Sequence, residues 1–496
     1  MSFTRNSLYA LTASVLPLVS ALVTVPLYIR EIGAERYGAL VIAWTMLGYF
    51  GQADFGIGRA LAQRISSNRK ASARKMARIV SSGMAILITL GLVMGLVTYL
   101  AAAYFFGNVM KVAPALRSEL LDSLWALALC NPVMTVTGAA TGALIGVERF
   151  RRVSIGNLAG NLGLQILPLI AAKAFGHDLE WLIAASLAGR LLGLAIVGTA
   201  VWRTFLAGQR FAPGWAEMRR LSRFGIWVMI TAMAVPLMIY SDRFVIGAVA
   251  GAIAVAVYTI PYQVAYRTLL VPSAIVSVVF PRLAALPDQL AAAKCRAFTI
   301  FIAQLFAVIV IGLSCLADPL MHLWLGSHLD PRSVGIARII LPGVWLLAIG
   351  SVPFAFIQAR GDPRFTAALT IAELPFYGIL LFALGQRFGL YGFAAAFSLR
   401  ALVDFVALSW RAKQGLGTLA GHLMPVSALV LFTAAAAPMF ESWERAIAGA
   451  FALCSAAAAL MFLSLKHFPE EFIEPLVAIP VLGPVFARRV PLHANG

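Results

Sequence analysis

Charged residues are scarce in this sequence. Asp, Glu, Lys and Arg together make up 12% of its 496 residues, whereas soluble domains contain about a quarter. Hydrophobic residues account for 61%, and they fall in long runs that only lipid can bury. A soluble globular fold is therefore excluded, and the composition predicts an all-α polytopic membrane protein.

Cysteine and metal-ligand patterns are also sparse. The six histidines never occur at metal-ligand spacing, and no nucleophile and base are arranged for catalysis. The cysteines show no CxxC spacing, and all but the second lie inside apolar runs: Cys130, Cys295, Cys315 and Cys454. Neither a disulfide framework nor a metal site is indicated, and we expect no cofactor.

Long apolar runs dominate the chain. A bilayer core of about 30 Å needs roughly 20 apolar residues in a helix. Scanning at that length predicts fourteen spans: 8–29, 38–57, 79–106, 121–147, 155–174, 181–201, 225–241, 253–280, 297–317, 334–358, 365–385, 391–410, 422–439 and 446–465. The longest internal connections, 59–78 and 202–224, are too short for an extramembrane domain.

Basic residues are concentrated in alternate loops. The segment 59–78 holds seven Lys and Arg and no acid, and 202–224 holds five Arg against one acid. The intervening loops are balanced over 30–36 and acidic at Asp178 and Glu180. Because cytoplasmic loops retain the excess of Lys and Arg, both termini are predicted to be cytoplasmic. The net charge of +18 thus indicates topology and contact with anionic lipids, and no nucleic-acid binding is expected.

An offset of 210 residues recurs between the two halves of the chain. It relates Pro26 to Pro236, Pro132 to Pro342, and Arg190 to Arg400. Because each repeat contains six spans, both enter the membrane in the same direction and form parallel bundles. The predicted organisation is an N-terminal lobe over 1–210, a C-terminal lobe over 211–420, two additional spans in 421–466 and a cytoplasmic tail over 467–496.

The N-terminal segment 25–64 resembles a known family. It contains Asp54-Phe55-Gly56-Ile57-Gly58, followed by Ala60 and Arg64. Further similar elements are Ser241-Asp242-Arg243-Phe244, the tyrosine-rich segment 258–266 and Phe280-Pro281-Arg282. With the length and the span count, these elements resemble polysaccharide-type flippases, which move O-antigen and exopolysaccharide repeat units. They belong to the multidrug/oligosaccharidyl-lipid/polysaccharide exporter superfamily.

The resemblance implies a MATE-like, V-shaped pair of lobes around a cavity that opens alternately to the two sides of the bacterial inner membrane. The implied substrate is a polyprenyl (undecaprenyl) diphosphate-linked oligosaccharide for surface polysaccharide biosynthesis. Transport involves no chemical reaction. Membrane lipids surround the protein, a polysaccharide polymerase and chain-length proteins are candidate partners, and a proton or sodium gradient is the candidate driving force.

Ionisable residues in mid-membrane cost at least ~2.5–3.5 kcal/mol, so each needs an explanation. Arg267 has no acid between Ala248 and Leu286, and its guanidinium can bind a phosphate with two hydrogen bonds. Prolines at 261 and 272 predict a kinked helix. Arg267 is therefore the first candidate for the substrate diphosphate, the alternative being an ion pair with a facing helix. Three tyrosines on the same span are candidate sugar contacts: Tyr258, Tyr262 and Tyr266.

Four further ionisable residues lie within spans. Arg190 has no acid in its own helix, so we expect it to bind an external anion or an acid elsewhere, such as Glu373. Arg400 and Asp404 are four residues apart and are predicted to pair within one helix. Together with Glu373 they are candidates for gating or ion coupling.

Two candidates lie near the cytoplasmic end of the second span. Asp54 is either a protonatable gate or a helix-end carboxylate that pairs with a loop arginine. Arg59 follows at the mouth and is a candidate substrate contact. Lys173 lies near the predicted periplasmic end of the fifth span, and its side chain is expected to extend to the membrane interface.

Three competing functions remain. A cation antiporter of the same superfamily is expected to carry acids in mid-membrane, whereas cations predominate here. A peptidoglycan-precursor flippase shares the fold and the cationic cavity, and only the N-terminal motif separates it. A membrane enzyme such as a polymerase or ligase would need a larger loop than 318–333 or an acidic metal motif. The sequence therefore predicts a transporter of anionic lipid-linked glycans and not an enzyme.

Overall fold

The structure, a computed structural model, describes residues 3–51, 56–69, 71–285 and 287–464. This part of the chain is almost entirely helical and contains no strand. The helices are α1 Phe3–Gly51, α2 Ile57–Ser66, α3 Ala73–Tyr104, α4 Pro114–Asp122, α5 Leu124–Gly146, α6 Phe150–Phe175, α7 Leu179–Val201, α8 Trp215–Val249, α9 Gly251–Arg267, α10 Leu270–Ala285, α11 Asp288–Leu325, α12 Pro331–Ala359, α13 Pro363–Arg411, α14 Leu416–Ala435 and α15 Trp443–Leu463.

Where the structure describes them, all fourteen predicted spans fall on helices. The first span and residues 38–51 of the second lie in α1, two spans lie in α13, and the eighth span is shared by α9 and α10. Each of the other nine corresponds to a single helix. By length and hydropathy alone, nine helices of the described residues are able to cross a membrane. With 17 and 16 residues, α9 and α10 are individually too short for that.

Glycines divide the two longest helices into separate arms. Gly33 in α1 has φ 78° and ψ 164°, and Gly389 in α13 has φ 59° and ψ −136°. Positive φ is readily adopted only by glycine because it has no Cβ atom. Each of these residues therefore separates two spans that the sequence predicts as neighbours.

The eighth span is broken between Arg267 and Leu270. Pro272 has no N–H to donate to the carbonyl of Thr268, which instead accepts from the N–H of Val271 at 3.1 Å. The Thr268 hydroxyl donates to the carbonyl of Ala265 at 2.6 Å. The kink predicted from the two prolines is therefore present, and it leaves Arg267 as the last residue of α9.

The chain forms two compact units, Met1–Ala256 and Val257–Gly496. The lobe boundary at 210/211 rests on the repeat and stays a prediction, and the tail over 467–496 lies outside the described residues. In unit 1, small residues let helices approach closely: a Cβ added to Gly189 of α7 would lie 2.3 Å from the carbonyl carbon of Gly163 in α6. This close approach also brings the side chains next to the two glycines, on α6 and on α7, near each other.

Candidate functional site

The close crossing of α6 and α7 places a buried cation beside an amide. Arg190 follows Gly189 on α7, and its Nη1 donates a hydrogen bond to Oδ1 of Asn161 on α6 at 2.9 Å. The Nε of Arg190 is buried and has no hydrogen-bond partner in the described residues. No described carboxylate forms an ion pair with this guanidinium. Its charge is therefore available to an anion.

A small cavity adjoins this arginine. It has a volume of about 90 Å³, and its lining includes Thr137 of α5 and Asn157, one turn before Asn161 on α6. Hydroxyl and amide groups can donate hydrogen bonds but carry no charge that would compete for the guanidinium. We identify Arg190, Asn161, Asn157 and Thr137 as the candidate anion site of unit 1.

In unit 2, by contrast, the buried arginine is paired with an acid. Nη1 of Arg400 lies 3.6 Å from Oε2 of Glu373, across the two arms of α13. Its guanidinium carbon also lies 5.3 Å from the ring centre of Tyr377 and 5.8 Å from that of Phe397. These contacts hold Arg400 in place. The sequence predicted Asp404 as the partner of Arg400 and offered Glu373 as an acid for Arg190. Both expectations are corrected: the acid that forms an ion pair with Arg400 in the described residues is Glu373.

The two acids near Arg400 also lie beside each other, because the carboxyl groups of Glu373 and Asp404 interact electrostatically. Oε1 of Glu373 is buried and has no hydrogen-bond partner in the described residues. The three side chains thus form a carboxyl–carboxyl–guanidinium cluster.

The three predicted sugar contacts form one stacked row. Ring centres are 5.8 Å apart for Tyr258 and Tyr262, and 5.4 Å apart for Tyr262 and Tyr266, as expected for residues one helical turn apart. Tyr262 also packs edge-on against Phe397 at 5.3 Å. Tyr258 and Tyr262 are only 0% and 3% exposed. This corrects the expectation for both: in this structure their rings belong to the core of unit 2, and only Tyr266 offers surface to a sugar.

The first-ranked cation, Arg267, ends α9 at the break in the eighth span and is partly exposed. The break follows from Pro272, which has no backbone N–H to donate. Arg267 and Arg190 lie in different units and in different surroundings.

On the predicted cytoplasmic side, α2 presents Arg59 as an exposed side chain. Asp54 lies outside the described residues, and its gating assignment stays a prediction. The basic loop is anchored by Arg64, which donates two hydrogen bonds to the carboxylate of Glu217 at 2.9 and 3.1 Å. These hydrogen bonds hold the pKa of Glu217 below its ordinary value.

Sequence reasoning missed two of these residues. Asn161 was overlooked, although two amides four residues apart in an apolar span, at positions 157 and 161, are a readable signal. Glu217 was counted only as the single acid of a basic loop. Its pairing with Arg64, 153 residues earlier, left no signal in the sequence.

The sequence is similar to a known protein family and to a named bacterial protein. The family model described as polysaccharide biosynthesis protein matches residues 3–286. A Shigella flexneri protein named "Putative O-antigen transporter" is 26% identical over 413 residues, covering 83% of this chain and 97% of that protein.

Solved structures show the same fold. The lipid II flippase MurJ, in an inward closed conformation, gives a TM-score of 0.68 at 13% identity and covers 92% of this chain and 99% of its own. An inward-facing MATE family multidrug resistance transporter of the MOP superfamily gives 0.65 at 14% identity, covering 83% and 98%. These likenesses confirm the predicted helical, MATE-like fold class of a multi-pass membrane protein.

The names of these similar proteins agree with one another. The relative and both solved structures carry the names of transporters or flippases, and none of the three carries the name of an enzyme. The matched family model spans more than half of the 496 residues. The chain therefore belongs to the polysaccharide biosynthesis protein family.

Proposed function

We propose that the protein is a flippase for polyprenyl (undecaprenyl) diphosphate-linked oligosaccharide repeat units. It moves them from the cytoplasmic to the periplasmic leaflet of a bacterial inner membrane by alternating access. Family membership and the name of the Shigella flexneri relative support this substrate class. Both termini are cytoplasmic in this proposal, and a polysaccharide polymerase and chain-length proteins are the partners that receive the product.

The observation that carries the proposal is the state of Arg190. A cation buried within membrane-spanning helices is costly, and it is normally paired with a carboxylate. Arg190 is held instead by the neutral amide of Asn161, and its Nε has no described partner. A guanidinium in this state attracts a diphosphate, which it binds through charge-assisted hydrogen bonds. Arg267 and exposed Arg59 are further proposed contacts of the anionic substrate, and Tyr266 is the proposed sugar contact.

The carboxyl cluster of unit 2 is the proposed coupling element. The carboxyl groups of Glu373 and Asp404 lie beside each other, and Nη1 of Arg400 lies 3.6 Å from Oε2 of Glu373. Uptake or release of one proton by either carboxyl group changes the negative charge beside Arg400. It therefore changes the attraction between the carboxyl groups and the guanidinium. We assign proton coupling to these residues, with sodium coupling as the alternative outcome of the test. Asp54 is the proposed gate.

The rival function within the same fold is export of organic cations. A lipophilic cation would need an unpaired acid in the membrane, whereas Glu373 is engaged by Arg400 and Asp404. Arg190 would repel such a substrate. The distribution of buried charge therefore favours an anionic substrate.

The deciding experiment uses the purified protein in proteoliposomes that contain a polyprenyl diphosphate-linked oligosaccharide. Flipping is measured as protection of the glycan from an impermeant glycosidase, with an imposed pH or sodium gradient. We expect gradient-dependent protection that is lost in protein-free vesicles. A matched assay measures uptake of rhodamine 6G. Transport of the dye without movement of the glycolipid would overturn the proposal in favour of a cation antiporter.

A further inference from the structure

Unit 1 contains a long apolar groove between α6 and the first arm of α1. The groove has a volume of about 700 Å³, and one face of each helix lines it. The lining residues recur every three or four positions, from Leu16 to Glu31 on α1 and from Leu162 to Lys173 on α6. At 1.5 Å per residue the α1 face is about 22 Å long. It can therefore hold one lipid chain across a leaflet, which is about half of a ~30 Å core.

Large aliphatic side chains are left uncovered along this groove. Val23 is 58% exposed and Ile170 55%, and Leu27 is also exposed. Within a membrane such a concave surface is covered by hydrocarbon, and each buried CH₂ group of a chain contributes favourably to binding.

One end of the groove is cationic. Arg30 of α1 and Lys173 of α6 both line that end and are both exposed. Neither forms a hydrogen bond or ion pair with another described residue. Glu31 lies beside them and is engaged by His177, with 3.7 Å between Oε1 and Nε2. Two cations and one carboxylate leave this end with one net positive charge, which suits a single anionic headgroup.

The lining also indicates which lipid fits. Among the described lining residues, Ser20 and Thr24 are the only uncharged polar ones, and none of them carries an aromatic ring or an amide. A glycan next to the phosphate would find neither stacking surfaces nor a set of hydrogen-bond donors and acceptors. A zwitterionic phospholipid would leave the positive charge uncompensated. The observations therefore favour an anionic phospholipid with a small headgroup over the lipid-linked glycan.

We propose that this groove is a binding site for one anionic phospholipid of the phosphatidylglycerol type. Its phosphate lies between Arg30 and Lys173, and one acyl chain lies between α1 and α6. The charge pattern of the loops assigns this end to the periplasmic leaflet. The site does not depend on the proposed transport function, because lipid retention is measured without any substrate.

Native mass spectrometry of the delipidated full-length protein, titrated with phosphatidylglycerol, tests the headgroup contact. The double variant Arg30→Gln/Lys173→Gln is compared with Arg387→Gln, which removes an exposed cation of α13 that does not line the groove. We expect the double variant to bind roughly thirtyfold more weakly, which corresponds to about 1 kcal/mol per cation. Arg387→Gln is expected to bind as the unaltered protein does. Equal binding by all three proteins would overturn the proposal.

A second pair of variants tests the chain-binding part. Val23→Trp fills the groove from an exposed position, whereas Leu96→Trp adds the same ring to the exposed face of α3, where Leu96 is 61% exposed. Both proteins are expected to elute as the unaltered protein does in size-exclusion chromatography. Only Val23→Trp should lose the bound lipid. Retention by Val23→Trp would exclude the groove as the lipid site.

Two competing ligands complete the test. Phosphatidylethanolamine should bind at least tenfold more weakly than phosphatidylglycerol, and equal binding would contradict the anionic assignment. A polyprenyl diphosphate should fail to displace phosphatidylglycerol at equal concentration. Displacement that requires Arg30 and Lys173 would reassign the groove to the transported lipid and overturn the phospholipid proposal.

Discussion

The guanidinium of Arg190 is hydrogen-bonded at 2.9 Å to the amide oxygen of Asn161. Its counterpart 210 residues later, Arg400, lies instead 3.6 Å from the carboxylate of Glu373. Both contacts join neighbouring spans, α6 with α7 in unit 1 and the two arms of α13 in unit 2. An amide leaves the positive charge uncompensated and a carboxylate neutralises it. The two repeat-related positions therefore offer different charges to a ligand.

This difference predicts that an acid at position 161 will disable transport. Asn161→Asp gives Arg190 a carboxylate partner and should lower glycolipid flipping roughly tenfold to hundredfold, the loss expected for one charge-assisted hydrogen bond of about 1.5–3 kcal/mol. Asn161→Gln keeps the amide and should retain more activity. Asn108→Asp adds the same charge at an exposed position and serves as the control. Full flipping by a well-folded Asn161→Asp protein would remove Arg190 from the substrate path.

Arg267 is predicted to contact the diphosphate. Lysine keeps the charge but loses the planar fork, so flipping should decrease from Arg267 to Arg267→Lys to Arg267→Ala. Lipid-linked repeat units should accumulate in the cytoplasmic leaflet of cells that carry the Ala variant. Normal flipping by that variant would leave Arg190 as the better candidate.

The carboxyl cluster predicts the response to a gradient. Glu373→Gln removes a titratable carboxyl group while keeping a polar side chain of similar size beside Asp404. We expect the variant to flip at one rate with and without a pH gradient. Glu444→Gln, at the exposed start of α15, is the control that should keep the full response. If the pH response persists in Glu373→Gln, proton coupling resides elsewhere.

The pairing of Arg64 with Glu217 predicts a pH-dependent stability. Because the pKa of Glu217 is lowered in the folded state by its hydrogen bonds to Arg64, this contribution is fully present above the unfolded pKa, about 4.3. It is lost as the pH falls through the lower folded value. Glu217→Gln should cost about 1–2 kcal/mol at pH 7, seen as a lower Tm, and the difference from the unaltered protein should shrink in acid.

The control for that measurement is Glu148→Gln. Its partner is Arg69 at 2.6 Å, but both side chains are well exposed, so solvent screens the pair. A smaller change in Tm is expected at every pH. An equal change would show that the Arg64 pair gains nothing from its partial burial.

Topology is tested by labelling with an impermeant thiol reagent. Ser67→Cys lies in the basic segment, and Ser327→Cys lies between α11 and α12; both positions are exposed. In intact cells only Ser327→Cys should react, because the basic segment is predicted to be cytoplasmic. Background is low because three of the four native cysteines are buried. Labelling of both from the same side would refute the fourteen-span arrangement.

The sequence by itself determined the membrane class, the helical character of the predicted spans and the presence of a kink in the eighth span. These features depend on composition along the chain: apolar runs must be as long as the bilayer is thick, and proline removes a backbone donor wherever it occurs. The 210-residue offset likewise placed Arg190 and Arg400 in corresponding spans.

Only the tertiary structure decided what these side chains contact. Asn161 as the partner of Arg190, Glu373 as the partner of Arg400, and the burial of Tyr258 and Tyr262 depend on how helices cross and rotate against one another. Helix rotation is set by close approaches such as that of Gly163 and Gly189, between residues distant in sequence. In spans whose outer face meets lipid, lipid-facing and core-facing residues are both apolar, so hydrophobic periodicity is weak. The side of such a helix that packs against its neighbours therefore cannot be read from the sequence.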